Sequence, residues 1–395
     1  MNVLSKLAYT VDRVFAGGAM NPPKVLRGRS AAERLCHADR MRALTVIAAF
    51  YNRQEHLAPG SAFFPAPRPI APSVTHVRTL GNQGMVVDLT WQSDFEPLWS
   101  TEAVSNLLGS WAPQQLERAG IEPSFSVNDI ATLGVDTTGA LIDKYMRVEP
   151  NKTAHARWYR HLDGAPRPTV VILHGYMVGE YAIEERMWPV QRLFERGADV
   201  VLSVLPFHGL RRSPRRGFLP PAFPSADPRF TIEGMRQLVF DHQALFDYLT
   251  RQGTPSLGVM GISLGGYGAA LLATVDPRPR CGLFFIPLSA IELFAHANGR
   301  FIGTSEEQLL QREAMRLSHV PVSPLGRPPV IRGSQVIIIN GEADAITGPT
   351  HTEPLSKHFD AEVHNFLGGH LLHFGRARAF ESMWRMLERE AFLTR

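Results

Sequence analysis

The stretch Gly261-Ile262-Ser263-Leu264-Gly265-Gly266 constrains this chain more than any other. Before it runs the short apolar segment Leu257-Gly258-Val259-Met260. After it comes Tyr267-Gly268-Ala269-Ala270-Leu271-Leu272-Ala273, whose small and apolar residues suit a helix packed closely on a sheet. Strand, Gly-x-Ser-x-Gly and helix in that order put a serine at the apex of a very sharp turn. Such a turn strains the backbone, and the positions two before and two after the serine must be nearly free of side chain. The strain exposes Oγ, and the N–H of Leu264 is expected to point at whatever the serine attacks. A helix beginning there adds its positive dipole end to a developing oxyanion.

A serine of this kind needs a base to take its proton and an acid to orient that base. After the β-branched run Gln335-Val336-Ile337-Ile338-Ile339 comes Asn340-Gly341-Glu342-Ala343-Asp344-Ala345-Ile346-Thr347, so Asp344 lies on a turn at a strand's carboxyl end. Glu342 and Glu292 are competing acids, and Asp344 is preferred because its turn can reach a histidine's Nδ1. Asn365-Phe366-Leu367-Gly368-Gly369-His370-Leu371-Leu372-His373 offers the base. The paired glycines permit a tight loop that returns His370 to the serine; His373, one helical turn on, reads as a partner for a helix or sheet edge. A second oxyanion donor is expected after the strand ending at Leu173, in His174-Gly175-Tyr176-Met177. The amides of Tyr176 and Met177 are both candidates there, and His174 reads as a structural residue of the loop. His208 also follows a strand, either lining the pocket or bonded to the backbone.

The rest of the chain alternates. Residues 85–91 and 153–161 read as strands, and 168–173, 198–205, 257–262, 283–288, 336–340 and 361–366 as further, mostly buried ones. Helical periodicity falls at 180–196, 231–251, 264–274 and 376–388. Buried strands alternating with helices predict a mostly parallel sheet covered on both faces, with ligands at the strands' carboxyl ends. Every candidate reactive residue lies just after a strand. Residues 1–83 read as a helical extension and a proline-rich connector, with a capping box at Ser30-Ala31-Ala32-Glu33. Residues 84–395 are expected to form the main domain, with 290–333 inserted as a lid that carries Phe294, Phe301 and Ile302.

Composition excludes several classes. A net charge of +4 without any basic stripe interleaved with aromatics argues against nucleic acid as partner. Arg211, Arg212, Arg215 and Arg216 form the densest cationic cluster, read first as a solvated loop and second as a contact for an anion or lipid. Two distant cysteines, Cys36 and Cys281, give neither disulfide framework nor metal-ligand spacing and suit a reducing compartment. No apolar run is long enough to span a membrane, and a cytoplasmic location is expected. Val3, Leu4, Leu7, Val11, Val14 and Phe15 fall at helical spacing, predicting an amphipathic helix that docks on the body, with peripheral membrane contact as second reading. Neither metal nor nucleotide motifs occur, so no cofactor is expected.

Leu173-His174-Gly175, the Gly261–Gly266 segment, Gly341-Glu342-Ala343-Asp344 and Gly368-Gly369-His370, in that order, resemble the α/β-hydrolase superfamily. Leu205-Pro206-Phe207-His208-Gly209-Leu210-Arg211-Arg212 with the Gly-Gly-His ending is similar to its alpha/beta hydrolase domain-containing protein 18 group. The resemblance implies an α/β fold with an eight-stranded sheet, and a triad on Ser263, Asp344 and His370. The function expected is cleavage of an ester or related acyl bond in a small-molecule substrate. Acyl transfer on the same triad and a non-catalytic binding role are its alternatives.

Overall fold

A computed structural model describes residues 3–18, 36–58, 60–118, 121, 143–217 and 219–393. Nine strands form one sheet, in the order β1-β2-β3-β5-β4-β6-β7-β8-β9. They are β1 (Ser73–Leu80), β2 (Gly84–Gln92), β3 (Thr153–His161), β4 (Thr169–Leu173), β5 (Asp199–Ser203), β6 (Leu257–Ile262), β7 (Pro279–Phe285), β8 (Val336–Gly341) and β9 (Glu362–Phe366). β4 to β9 run parallel, whereas β3 is antiparallel to both β2 and β5, and β1 is antiparallel to β2. With β4 and β5 exchanged in spatial order and a central strand feeding the Ser263 turn, this is the α/β-hydrolase fold.

The period-2 geometry of strands divides the core. Val171, Leu173, Val259 and Ile338 face one layer, beside Leu238 and Leu245 of a long helix and Leu271 of the helix after β6. Val170, Ile172, Met260 and Ile339 face the other, beside Leu193, Phe380, Met383 and Trp384. Besides the short helices Gln54–Leu57 and Pro113–Arg118, the α-helices among the described residues are, in chain order, α1 (Val3–Gly18), α2 (His37–Tyr51), α3 (Thr101–Gly109), α4 (Tyr181–Met187), α5 (Val190–Glu195), α6 (Pro228–Arg251), α7 (Leu264–Val275), α8 (Ile291–Ala297), α9 (Ser305–His319), α10 (Gly348–Phe359) and α11 (Arg376–Arg389).

The sheet has nine strands, not eight. β1 is the addition, and it lay in the segment expected to be connector. Its side chains are mostly exposed, so no apolar alternation marks it, and pairing with β2 is what makes it a strand. The helix expected over 180–196 is two, because Pro189 forces Trp188 into extended backbone between α4 and α5. The capping box at residues 30–33 lies outside the described residues.

Buried ionic groups tie the early segments to α6. Glu233 Oε1 accepts from the Tyr51 hydroxyl at 2.6 Å and from the amides of Leu98 and Trp99 at 3.1 and 3.2 Å. Arg236 pairs with Glu233 at 2.5 Å and donates through Nε to Phe63 O at 2.7 Å. The 290–333 insertion turns toward α2: Phe301, Ala295, Ala314 and Met315 bury together with Leu44. No helix among the described residues is long and apolar enough to cross a membrane.

Two expectations about charge and amphipathicity are corrected. Arg211 is not solvated, being 1% exposed and paired with the buried Asp241 at 2.8 Å, while its Nη2 donates to Asn151 O at 2.9 Å. Only Arg215 of that cluster is exposed. Helix α1 docks, but not through its apolar stripe: Ser5, Ala8 and Asp12 are buried, whereas Val3 and Val14 are 82% and 70% exposed. Removing one member of a buried pair strands the other charge. Arg211→Met is therefore expected to lower unfolding free energy by about 3–5 kcal/mol, measured by urea denaturation, with Asp241→Leu in the same chain recovering part of the loss.

Candidate active site

β6 ends at Ile262 and α7 begins at Leu264, leaving Ser263 alone to turn the chain. Its φ of 55° and ψ of −112° lie in a region that side-chain-bearing residues rarely occupy. The turn is held by the Ser263 N–H donating to Phe285 O at 3.0 Å and by Leu288 N–H donating to Ser263 O at 3.1 Å. Its tightness requires glycine on each side. A Cβ on Gly261 would overlap the Gly265 carbonyl, and one on Gly265 would overlap the carbonyl oxygens of Leu173 and His174.

Strand ends from across the sheet bring the other groups here. Ser263 Oγ lies 2.9 Å from His370 Nε2. The opposite ring nitrogen, Nδ1, lies 2.9 Å from Asp344 Oδ2. An Nδ1–H donating to the carboxylate leaves Nε2 free to accept the serine proton. Asp344 is itself held in place, its Oδ1 accepting from the amides of Ile346 and Thr347, each at 2.8 Å. Thr347 Oγ1 donates to Asp344 Oδ2 at 2.8 Å. The side chains of Asp344 and His370 are 0% and 9% exposed, and Ser263 is half-buried, so solvent reaches the serine end only.

Electrostatics favour an ion pair on demand. Burial alone would push the His370 imidazolium toward deprotonation. The Asp344 charge, its hydrogen bond and a more distant charge on Asp12 outweigh that, and the net displacement is upward. Burial likewise opposes ionised Asp344, but His370 and the two amides prevail and hold its pKa down at about 2.

The remaining candidates separate by position. Glu342 is exposed, and Glu292 is buried on α8, where burial raises its pKa. His174 bonds the loop after β4 from within, its Nδ1 2.7 Å from Gly175 O and its Nε2 accepting from Leu205 N–H at 3.0 Å. Gly175 runs beside Ser263, where a Cβ would sit 3.7 Å from the serine Cβ. Tyr176 and Met177 follow directly, Met177 with a φ of 67°. His208 lies under this loop, its Nδ1 2.9 Å from Pro206 O. His373 Nε2 donates to His370 O at 2.8 Å. Sequence reasoning missed Thr347, although its place three residues after Asp344 is that of a turn-closing hydroxyl. No cluster of three or more His, Cys, Asp or Glu suited to a metal occurs among the described residues.

The chain is similar to several known proteins. Residues 148–300 match the family model described as alpha/beta hydrolase domain containing 18. Uncharacterized proteins from two Mycobacterium tuberculosis strains are 29% identical over 214 residues, covering 52% of this chain and 49% of each relative. The match thus spans about half the length of these curated relatives. Among solved structures, an acetyl xylan esterase from a Paenibacillus species is similar with a TM-score of 0.48 at 15% identity, over 82% of this chain and 89% of that one. A Pyrococcus furiosus esterase gives 0.41 at 16% identity, over 60% of this chain and 87% of that one.

The geometry predicts an NMR-observable titration. His370 is expected to titrate above the ordinary imidazole value of 6.5, and Asp344→Asn is expected to lower its midpoint, since burial then acts with less opposition.

Proposed function

We propose that this chain, with its α/β-hydrolase fold, is a serine hydrolase cleaving an ester or related acyl bond. The observation that carries this reading is the continuous chain of contacts Ser263 Oγ, His370 Nε2, His370 Nδ1 and Asp344 Oδ2, with 2.9 Å at each link between residues.

Ser263 attacks the substrate carbonyl while His370 Nε2 takes its proton. The imidazolium so formed is stabilised and oriented by Asp344, which stays ionised. Charge that develops on the carbonyl oxygen is met by the amide of Leu264 and by that of Tyr176 or Met177. Leu264 opens α7, a helix of 12 residues, and the first amides of a helix have no partner within it. His370 then returns the proton to the leaving group. In the second half it activates water, which attacks the acyl-enzyme and releases the acid. The partial exposure of Ser263 supports water as the acceptor over a larger alcohol or amine.

The test is labelling of the full chain by a fluorophosphonate probe, followed by hydrolysis of simple esters of graded acyl length. Ser263→Ala and His370→Ala are each expected to abolish labelling and to lower turnover by about 10⁴-fold or more. Undiminished ester turnover by folded Ser263→Ala would overturn the assignment.

A further inference from the structure

Helix α1 presents one narrow buried face to the site. Ser5, Ala8 and Asp12 succeed one another by three and four positions, the spacing of a single helical stripe, and their small side chains allow close approach. Ser5 Oγ donates to Leu367 O at 3.0 Å. Asp12 is 0% exposed, and its carboxylate accepts three backbone amides: His370 N–H at 2.6 Å, Leu371 N–H at 3.0 Å and Ala345 N–H at 3.3 Å.

We infer that Asp12 is a positioning residue that locks the His370 loop to the Asp344 turn. The three amides it collects come from two segments, one carrying the base and the other adjoining the acid. Charge-assisted bonds of this kind are about twice as strong as neutral ones. The carboxylate reaches the backbone because residue 369 is glycine, where a Cβ would overlap Asp12 Oδ2. The hydrogen bonds of Asp12 go to backbone amides, so it acts through the loop's position and through its charge.

Burial pushes the Asp12 pKa up, and the amides of His370 and Leu371 only partly offset this. A carboxylate in such surroundings is expensive unless its acceptors are used. All three of its bonds go to the segments bearing the triad. Four titratable groups face His370: Asp12 from α1, Asp344 from the turn after β8, His351 from α10 and His373 from its own loop. Burial holds both neighbouring histidines down at about 4, so neither changes charge near neutrality.

The consequence for rate rests on the serine-hydrolase reading, whereas the contact itself does not, and the experiment separates them. Full-length wild type, Asp12→Ala and Asp12→Asn are compared by fluorophosphonate labelling rate across pH and by hydrogen exchange of residues 366–373. Asp12→Ala is expected to label about 10- to 100-fold more slowly than wild type. Asp12→Asn keeps the shape and removes the charge, so His370 becomes easier to deprotonate and the acid limb moves to lower pH. In both variants the amides of His370 and Leu371 exchange faster. Wild-type labelling rate with an unmoved acid limb in folded Asp12→Asn would overturn the positioning role. Should wild type fail to label, the hydrolase reading falls. Exchange still decides the contact, because equal exchange in wild type and variants rejects it. Should Asp12→Ala not fold, Asp12→Asn carries the test alone.

Discussion

Everything in the site depends on one backbone conformation. Ser263 stands in a strained left-handed region because β6 must hand over to α7 without a loop. A side chain at Gly261 or Gly265 would meet backbone there, and backbone cannot move aside as a flexible side chain can. The strain is held from outside the turn, by Phe285 and Leu288 at the end of the neighbouring β7. The conformation of the serine is therefore a property of the packed sheet, and the motif supplies only the permission to adopt it.

Second in importance are charges removed from water. Arg211 with Asp241, Arg236 with Glu233, and Asp12 with three amides are all buried. Arg211 with Asp241 and Asp12 with its amides join separate segments, while Arg236 and Glu233, three residues apart on α6, reach Phe63 and Tyr51, and none is a surface ion pair of the kind worth little. The α6 pair and Asp12 make the N-terminal extension part of the body. Tyr51 and Phe63 bind the charges on α6, α2 shares a small core with the insertion at 290–333, and α1 reaches the loops of Asp344 and His370. The extension is thus built against the loops that carry Asp344 and His370.

Much of this was legible because it obeys local rules. The strand-turn-helix pattern around Ser263, the carboxylate after β8 and the paired glycines before His370 each state a backbone geometry in adjacent residues. Eight of the nine strands announced themselves, most of them by buried apolar runs or alternation. β1 did not, since an exposed edge strand carries no such pattern and exists through its partner. Helix α1 was legible as a helix and misread as to its face: its apolar stripe points outward and its one acidic residue inward. Periodicity reports that a helix has two faces, and only the surface it meets decides which is buried.

The sequence by itself determined the order of elements, the sharp turn at Ser263 and the residue types able to form a nucleophile, a base and an acid. Those follow from steric and periodic rules acting over a few residues. Tertiary structure alone decided that His370, 107 positions beyond the serine, meets it, and that Asp344, 81 positions beyond, meets His370, each link 2.9 Å long. It also decided that Arg211 is buried and that Asp12 lies under His370. The physical reason is the same in each case. Burying a charge is unfavourable until a particular partner is in place, and a partner on another element of the chain leaves no mark in the local pattern.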